Sequence, residues 1–600
     1  PLTYVDLPEQ WRWDTSLEKN YLTYLKNQHI PEYCGACWAF AATSALSDRI
    51  KIQRNATFPD IMISPQVLLS CSMENDGCHG GFGYSAYSWI YKNEITDDTC
   101  APYRARGHDN GFKCSNTTMC KDCPGGKGGD CFVPASYNVY NIEEYGSISG
   151  EEAMMQEIFQ RGPIVCGVAV PNDLFKNYTG GIYEDTTGDM NIVHDISVVG
   201  YGVENGEKYW LVRNSWGTFW GESGFFRVKR GINNIAIETE CAFAVPKDTW
   251  TENKKHITTD EERNDPNNET ENSDGTPDGN LFFLKFFNFF FFIIFWYFSE
   301  FLNKNKFSAC ALTTPKLSPG ERIINREPLI KSESELPKNW DWRNINGTNY
   351  ISINKNQHIP TYCGSCWAHG TTSALTDRFH ILNGPKGTPI SISTQVVVNC
   401  QPGGGSCFGG NPLDVYEFAY LQGIPDDTCQ QYIAKNHKAP LCTPSQICQD
   451  CAAPPAKTKD ESGKVRCHPI TNYKSYYVRE YGRVSGATNM KAEIFKRGPI
   501  DCAIEVTDKL ETYTGGIYEE HKDYWQLNHA ISVVGYGEEN GVEYWIVRNS
   551  WGTYWGEGGF FRMRMHKWNN GIETDCNWAT PSYEKVSDRI AEMKTIEFLE

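Results

Sequence analysis

The stretch NQHIPEYCGACWAF, from Asn27 to Phe40, returns almost unchanged as NQHIPTYCGSCWAH, from Asn356 to His369. The second copy starts 329 positions after the first, and the surrounding tryptophans and cysteines recur at nearly the same offset. Each repeat has about 240 residues, which is too long for a solenoid unit and enough to bury its own core. The sequence therefore predicts two tandem domains of one fold.

The cysteines predict a disulfide-bonded protein. Of the 23 cysteines, 11 fall in each repeat and Cys310 lies between them. Because 11 is odd, one thiol per repeat stays unpaired if the other ten form disulfides, as expected in an oxidising compartment. Zinc binding by the CKDC and CQDC pairs, residues 120–123 and 448–451, is the alternative, but few histidines lie nearby to complete such a site. We therefore predict no metal and no cofactor.

The overall charge excludes one class of partner. The net charge of −18 argues against a nucleic-acid partner, because phosphate binding requires clustered lysines and arginines. Five Asn-X-Ser/Thr sequons fit a secretory route, and they fall at Asn55, Asn116, Asn177, Asn268 and Asn346.

Composition divides the chain into segments. We predict domains over residues 1–248 and 336–582, an acidic disordered linker over 249–280, a signal-like or membrane segment over 281–311, a propeptide-like segment over 312–335 and a tail over 583–600. The apolar run 281–302 has the length of a short membrane span, but Lys285 and Asn288 interrupt it. A span would leave one cysteine-rich repeat in the reducing cytosol, which favours an internal signal sequence or a joint between two reading frames. Membrane contact is expected only through 281–302.

The second cysteine of each CxxC pair is the candidate nucleophile. Cys37 and Cys366 begin runs of good helix-forming residues, and a helix N-terminus favours the thiolate form of a cysteine. A thioredoxin-type dithiol is the competing interpretation of CxxC, but no compact βαβ pattern surrounds either pair.

A thiolate nucleophile requires a histidine, and each repeat offers one late in its sequence. His194 and His529 lie in β-branched runs that predict strands. Twenty residues later, Asn214 and Asn549 begin the motif NSWG, and an asparagine can orient the imidazole as the third member of a triad.

Together these motifs resemble the papain-like cysteine peptidase family. The resemblance rests on CGxCW, on GCHGG (77–81) and SCFGG (406–410), on the histidine strand and on NSWG. It implies an α+β fold with two tandem papain-like domains, each a helical subdomain and a β-barrel-like subdomain with the cleft between them. It also implies oxyanion-hole glutamines and tryptophans that shield the His–Asn hydrogen bond, which fall on Gln28, Gln357, Trp216 and Trp551.

Five residues, HIPEY or HIPTY, separate the glutamine from the first cysteine, where most of the family has two. Such an insert resembles the cathepsin X (cathepsin Z) branch, whose members are carboxymonopeptidases. A loop there closes one side of the cleft, and a protonated histidine can bind a terminal carboxylate. The residues expected to do so are His29 and His358, supported by Tyr33 and Tyr362.

We therefore expect a cysteine-type carboxypeptidase that removes single residues from peptides or proteins with a free C-terminus, at acidic pH, in the lysosome or outside the cell. The alternatives are a cathepsin B-like endopeptidase or dipeptidase, and a papain-fold scaffold that is inactive in one copy. Cathepsin B uses a loop with paired histidines, and this chain has no His-His pair.

The resemblance also implies disulfide pairings. They are Cys34–Cys78, Cys71–Cys114, Cys100–Cys120, Cys123–Cys131 and Cys166–Cys241, with the same pattern in repeat two. Cys310 is a candidate cap for the active thiol of repeat two.

Repeat one departs from the family pattern. Asp195 follows its histidine, and Phe40 stands where repeat two has His369. A carboxylate beside the imidazole can shift its pKa, so repeat two is expected to be the more active copy.

Overall fold

The computed structural model of the chain describes residues 3–124, 131–247, 249, 254–257, 321–323, 328–451, 467–566 and 569–585. The predicted signal-like segment and Cys310 lie outside these ranges, as do nearly all of the predicted linker and tail. Within the described ranges, no helix combines the length and the apolar character needed to cross a bilayer.

The first four helices of repeat one build one half of the domain, and the last two pack against its sheet. They are α1 (Cys37–Gln53), α2 (Pro65–Cys71), α3 (Gly83–Lys92), α4 (Asn116–Met119), α5 (Glu151–Arg161) and α6 (Asn172–Asn177). Helix α2 begins as expected for a capped helix, since the Ser64 hydroxyl accepts from the Val67 N–H and Pro65 occupies the first turn. Helix α1 is buried on nearly all sides, which explains its alanine-rich sequence.

The strands of repeat one form the other half. They are β1 (Trp11–Arg12), β2 (Ser136–Asn138), β3 (Ile142–Ile148), β4 (Ile164–Ala169), β5 (Ile182–Tyr183), β6 (Ile192–Glu204), β7 (Glu207–Arg213), β8 (Phe225–Lys229), β9 (Cys241–Pro246) and β10 (Lys254–His256). Eight of them join in the order β3-β9-β4-β6-β7-β8-β5, with β1 also paired to β6. Only the β5–β8 pairing in this sheet is parallel.

Repeat two has the same architecture. Its helices are α7 (Cys366–Asn383), α8 (Thr394–Cys400), α9 (Pro412–Leu421), α10 (Pro444–Ile447), α11 (Ala487–Arg497) and α12 (Asp508–Glu511). Its strands are β11 (Trp340–Asp341), β12 (Gln449–Cys451), β13 (Cys467–Pro469), β14 (Tyr477–Val484), β15 (Ile500–Ile504), β16 (Ile517–Tyr518), β17 (His529–Glu539), β18 (Val542–Arg548), β19 (Phe560–Arg564) and β20 (Cys576–Ser582). The sheet order is β14-β20-β15-β17-β18-β19-β16, with β11 on β17. The predicted α+β fold in two tandem domains is confirmed.

Residues 254–256, within the predicted disordered linker, form a strand. Strand β10 pairs with β2, so its backbone groups find partners in Ser136–Asn138. Ile257 follows it into a small apolar cluster with Val133, Tyr137 and Val139. Strand pairing and the packing of Ile257 thus both attach this segment to repeat one.

All ten predicted disulfides are confirmed. Repeat one has Cys34–Cys78, Cys71–Cys114, Cys100–Cys120, Cys123–Cys131 and Cys166–Cys241. Repeat two has Cys363–Cys407, Cys400–Cys442, Cys429–Cys448, Cys451–Cys467 and Cys502–Cys576. The cysteines of both CxDC pairs are therefore in disulfides and are not thiolate ligands for zinc.

A buried arginine joins the helical half of each repeat to its sheet half. In repeat two, Arg378 on α7 donates to Glu493 Oε1 at 2.8 Å and to the carbonyls of Gly498, Pro499 and Ala579. Arg378 and Glu493 are both almost fully buried. Arg49 and Glu157 form the same pair in repeat one at 2.9 Å.

We expect Arg378→Met to destabilise repeat two by about 3–5 kcal/mol, because the substitution leaves the buried carboxylate of Glu493 paired with Arg497 alone and removes the donor to three carbonyls. Urea unfolding of the full chain, followed by tryptophan fluorescence, measures the shift. Arg479→Met is the matched control, since Arg479 is exposed. Equal shifts for the two variants would contradict this role for Arg378.

Candidate active site

Each candidate nucleophile is the first residue of its helix. Helix α1 begins at Cys37 and α7 begins at Cys366, and neither helix has a side-chain cap. The first-turn N–H groups and the helix dipole therefore act on the sulfur. The turn before α1 requires a glycine, because a Cβ on Gly35 would lie 2.6 Å from the Cys78 carbonyl oxygen.

The two sulfurs differ in their bonding. Cys37 is a free thiol. Cys366 is disulfide-bonded, and its sulfur accepts a hydrogen bond of 3.2 Å from the Ala530 N–H. The predicted capping role of Cys310 concerns a residue outside the described ranges.

The structure brings each histidine to its predicted asparagine. His194 Nε2 lies 2.9 Å from Asn214 Oδ1, and His529 Nε2 lies 2.8 Å from Asn549 Oδ1. The histidines stand on β6 and β17, and the asparagines follow directly after β7 and β18, which pair with those strands. The predicted strand character around both residues is confirmed.

A tryptophan covers each His–Asn pair. The ring centroid of Trp216 lies 4.7 Å from that of His194, and Trp551 lies 5.1 Å from His529. Both tryptophans are almost fully buried. They keep water from the hydrogen bond that orients the imidazole, which strengthens that bond.

The residue that follows each histidine on its strand contacts the candidate nucleophile. The backbone N–H of Asp195, directly after His194, hydrogen-bonds to Cys37 and lowers its pKa, as Ala530 N–H reaches Cys366 in repeat two. Burial has the larger effect and raises the pKa of Cys37 to about 12. Burial also lowers the pKa of His194 and of His529 to about 4. Taken singly, the thiol and the imidazole are therefore neutral at pH 5.

The two glutamines are held beside the nucleophiles by several hydrogen bonds. Gln28 Nε2 donates to the Cys34 carbonyl at 3.1 Å, and its Oε1 accepts from the Ser215 hydroxyl at 2.6 Å. Gln357 makes the equivalent bonds to Cys363 and Ser550 at 3.3 and 2.7 Å. Because an amide nitrogen carries two hydrogens, these contacts use only one N–H of each glutamine, and the oxyanion-hole role stays a prediction.

The histidines of the insert stack over the same tryptophans. His29 lies 6.0 Å from Trp216 and 5.4 Å from Tyr33, centroid to centroid. His358 lies 5.9 Å from Trp551 and 5.7 Å from Tyr362. The structure thus places each predicted anchor in contact with its tyrosine and with the tryptophan that covers His194 or His529. Their role toward a substrate carboxylate remains a prediction.

Both insert histidines already face a carboxylate of the other repeat. His29 Nδ1 lies 3.1 Å from Asp450 Oδ1, and His358 Nδ1 lies 3.2 Å from Asp122 Oδ1. These aspartates could not be identified from the sequence, because the contact depends on how two separate domains pack together.

Asp195 has a partner that repeat two lacks. Its Oδ2 accepts a 3.0 Å hydrogen bond from the Gly83 N–H, at the start of α3. The equivalent of Gly83 is Pro412, which has no N–H, and the equivalent of Asp195 is Ala530. Repeat one thus has both the donor and the acceptor, and repeat two has neither. A comparison of the two repeats at these positions could have predicted the contact. Burial raises the pKa of Asp195 to about 7.

Phe40 and His369 occupy equivalent positions and pack alike against a tyrosine. Phe40 meets Tyr103 edge-on at 4.6 Å, and His369 meets Tyr432 edge-on at 4.5 Å. Burial lowers the pKa of His369 to about 3, so this ring is neutral like that of Phe40. Of the two departures, Asp195 is therefore the one that changes the charge at the site, once its carboxyl group is ionised.

We expect Asp195→Ala to alter Cys37 labelling by iodoacetamide in a pH-dependent way, measured by peptide mass spectrometry. At pH 5 wild-type Asp195 is neutral, so the two rates should be nearly equal. Above pH 7 the wild-type carboxylate is ionised and raises the pKa of Cys37, so the variant should react faster. Asp195→Asn, which removes only the charge, should follow the alanine variant. Wild-type behaviour of Asp195→Asn would show that charge is not the cause.

We also expect the two nucleophiles to differ in their need for a reductant. Without reductant, an epoxide probe directed at thiols should label Cys37 and leave Cys366 unmodified, since a disulfide sulfur is not a nucleophile. Mild reduction at pH 5 should add labelling at Cys366. Labelling of Cys366 in oxidised protein would contradict this expectation.

Comparisons with known proteins agree with this geometry. The family model described as "Papain family cysteine protease" matches residues 7–245 and 336–580. Cathepsin Z of Onchocerca volvulus is 47% identical over 256 residues, which cover 41% of this chain and 78% of that protein. The solved structure of digestive procathepsin L 3 from Tenebrio molitor larval midgut is 28% identical over 41% of this chain and 72% of its own, with a TM-score of 0.33. The chain belongs to the papain family of cysteine proteases and carries two tandem copies of its peptidase domain.

Proposed function

We propose that each repeat is a carboxypeptidase that removes single residues from peptide C-termini at acidic pH. The observation that carries the proposal is the position of the insert histidine. His29 and His194 stack on Trp216 at 6.0 and 4.7 Å. A carboxylate held by His29 would therefore lie close to the reacting bond, as removal of one residue requires.

The bond-breaking steps follow from the arrangement of the triad. The Cys37 thiol gives its proton to His194 as its sulfur attacks the carbonyl carbon. The positive charge on the imidazolium and the negative charge on the carbonyl oxygen therefore form together. The C–N bond then breaks, the imidazolium protonates the leaving amine, and a thioester remains. Water attacks the thioester with His194 as base, which returns the thiol and releases the shortened acid.

The oxyanion has two donors available. They are the remaining amide N–H of Gln28 and the backbone N–H of Cys37 at the start of α1. Asn214 holds the imidazole in one orientation through its side-chain oxygen. Gln357, Cys366, His529 and Asn549 are proposed for the same roles in repeat two, once the Cys366 sulfur is reduced.

Buried carboxyl groups support an acidic working environment. Burial raises the pKa of Asp98 to about 6 and the pKa of Asp195 and Asp501 to about 7. A raised carboxyl pKa contributes stability that is fully present below the unfolded value near 4 and is lost as the pH rises to about 7. With the ten disulfides, this favours a lysosomal or secreted location, with peptides or proteins that have a free C-terminus as substrates.

The test uses the full chain with Cys37→Ala, so that only repeat two can react. After mild reduction at pH 5, one peptide is offered as the free acid and as the C-terminal amide, and products are identified by mass. We expect loss of one residue from the free acid only. Cleavage of interior bonds in both peptides would overturn the proposal in favour of an endopeptidase.

In the same background, we expect His358→Ala to lower kcat/KM for the free acid by about 10–100-fold, the cost of losing a charge-assisted hydrogen bond. His521→Ala is the matched control, because His521 is an exposed histidine that also faces a carboxylate, that of Glu519. An equal loss in both variants would remove the assignment of His358 as the anchor.

A further inference from the structure

The inserts of both repeats are buried where the two domains meet. His29 is 5% exposed and His358 is 3% exposed. The tip of each insert also rests on a disulfide of the opposite repeat. The Pro31 carbonyl lies 3.6 Å from the sulfur of Cys451, and the Pro360 carbonyl lies 3.5 Å from that of Cys123.

The contacts across this interface are reciprocal. Asn27 donates to the Thr428 carbonyl at 3.1 Å, and the equivalent Asn356 donates to the Thr99 carbonyl at 3.2 Å. Together with the two His–Asp contacts, this exchange has the two-fold character of a symmetric dimer formed within one chain.

A second pair of contacts lies in the loop after NSWG and reaches the same two threonines. The Thr218 N–H donates to Thr428 Oγ1 at 3.0 Å, and the Thr218 hydroxyl donates to Asp426 at 2.8 Å. Thr553 makes the same bonds to Thr99 and Asp97 at 3.1 and 3.2 Å. The interface therefore contacts both the insert and the loop after NSWG in each repeat.

We propose that the two repeats are built as each other's binding partner, and that Asp450 and Asp122 act as internal ligands of the anchoring histidines His29 and His358. The inference rests on the proposed function, in which these histidines bind a substrate carboxylate. Each aspartate presents the same chemical group to the same imidazole, at 3.1 and 3.2 Å. Substrate and aspartate therefore compete, and the paired chain is a latent form of both sites.

The two internal ligands are not held equally. Asp122 also lies beside Tyr554, a half-buried residue of repeat two that packs on the apolar cluster of repeat one, and the two side chains interact electrostatically. The equivalent of Tyr554 in repeat one is Phe219, which has no hydroxyl to offer Asp450. Repeat two is thus expected to be the more strongly blocked site.

The test exploits the crossed arrangement, in which each aspartate acts on the nucleophile of the other repeat. With Cys366→Ala, only repeat one reacts, and Asp450→Asn should lower its KM for the free-acid peptide by about tenfold. With Cys37→Ala and mild reduction, Asp122→Asn should do the same for repeat two. These shifts correspond to removal of one charged hydrogen-bond acceptor.

The matched controls are the opposite combinations. Asp122→Asn should leave repeat one unchanged, and Asp450→Asn should leave repeat two unchanged. Asp76→Asn and Asp508→Asn remove exposed carboxylates elsewhere and should change neither KM. Unchanged KM values in the crossed pairs would overturn the proposal, as would equal effects of one substitution on both repeats.

A second measurement tests the association without using activity. A site for a specific protease is inserted between residues 272 and 273 of the full chain, and the cleaved protein is examined by size exclusion. We expect the two halves to elute as one body, and elution as two bodies would overturn the partner assignment. Interior cleavage of peptides together with co-elution would instead overturn the carboxylate-anchoring part and leave the pairing intact.

Discussion

A buried ion pair holds the nucleophile helix of each repeat against the strand that ends at the triad asparagine. Asp48, fully buried on α1, lies 2.9 Å from Arg213, the last residue of β7 and the neighbour of Asn214. Asp48 also accepts hydrogen bonds from the N–H and hydroxyl of Thr23, just before the insert. One carboxylate thus fixes three elements of the site relative to each other. A shift of about 1 Å between such groups is enough to lower catalysis strongly.

The same clamp is present in repeat two, where Asp377 meets Arg548 at 2.5 Å and Ser352 replaces Thr23. The repeats therefore share the buried ion pair that positions the site and differ in residues that lie inside the cleft. The matched exchange of Gly83 and Asp195 for Pro412 and Ala530 puts a titratable group beside only one nucleophile. Two sites with one geometry are thus given different responses to pH.

Much of the site could be predicted from the sequence because its motifs are local. CGxCW places a thiol at a helix start through the turn at Gly35, and NSWG places Asn214 at the end of a strand regardless of the rest of the chain. The partners Asp450 and Asp122 could not be predicted in this way. They are ordinary residues within their own repeat, and they matter only because the domains pack face to face. The strand Lys254–His256 could not be predicted for a related reason. The composition around it is polar, and its pairing with β2 and the burial of Ile257 depend on residues far away in the sequence.

Placing both repeats in one chain changes the energetics of their pairing. A covalent link turns association into an intramolecular event, so even a weak interface stays formed at any protein concentration. The interface in this protein contains many polar contacts and exchanged hydrogen bonds, which resembles a separable surface more than a permanent core. Each aspartate reaches only the imidazole of the opposite repeat, so a substrate carboxylate at His29 displaces Asp450 and leaves the contact between Asp122 and His358 in place. The two sites are thus blocked at one surface and released one at a time, because the exchanged asparagine and threonine contacts keep that surface formed.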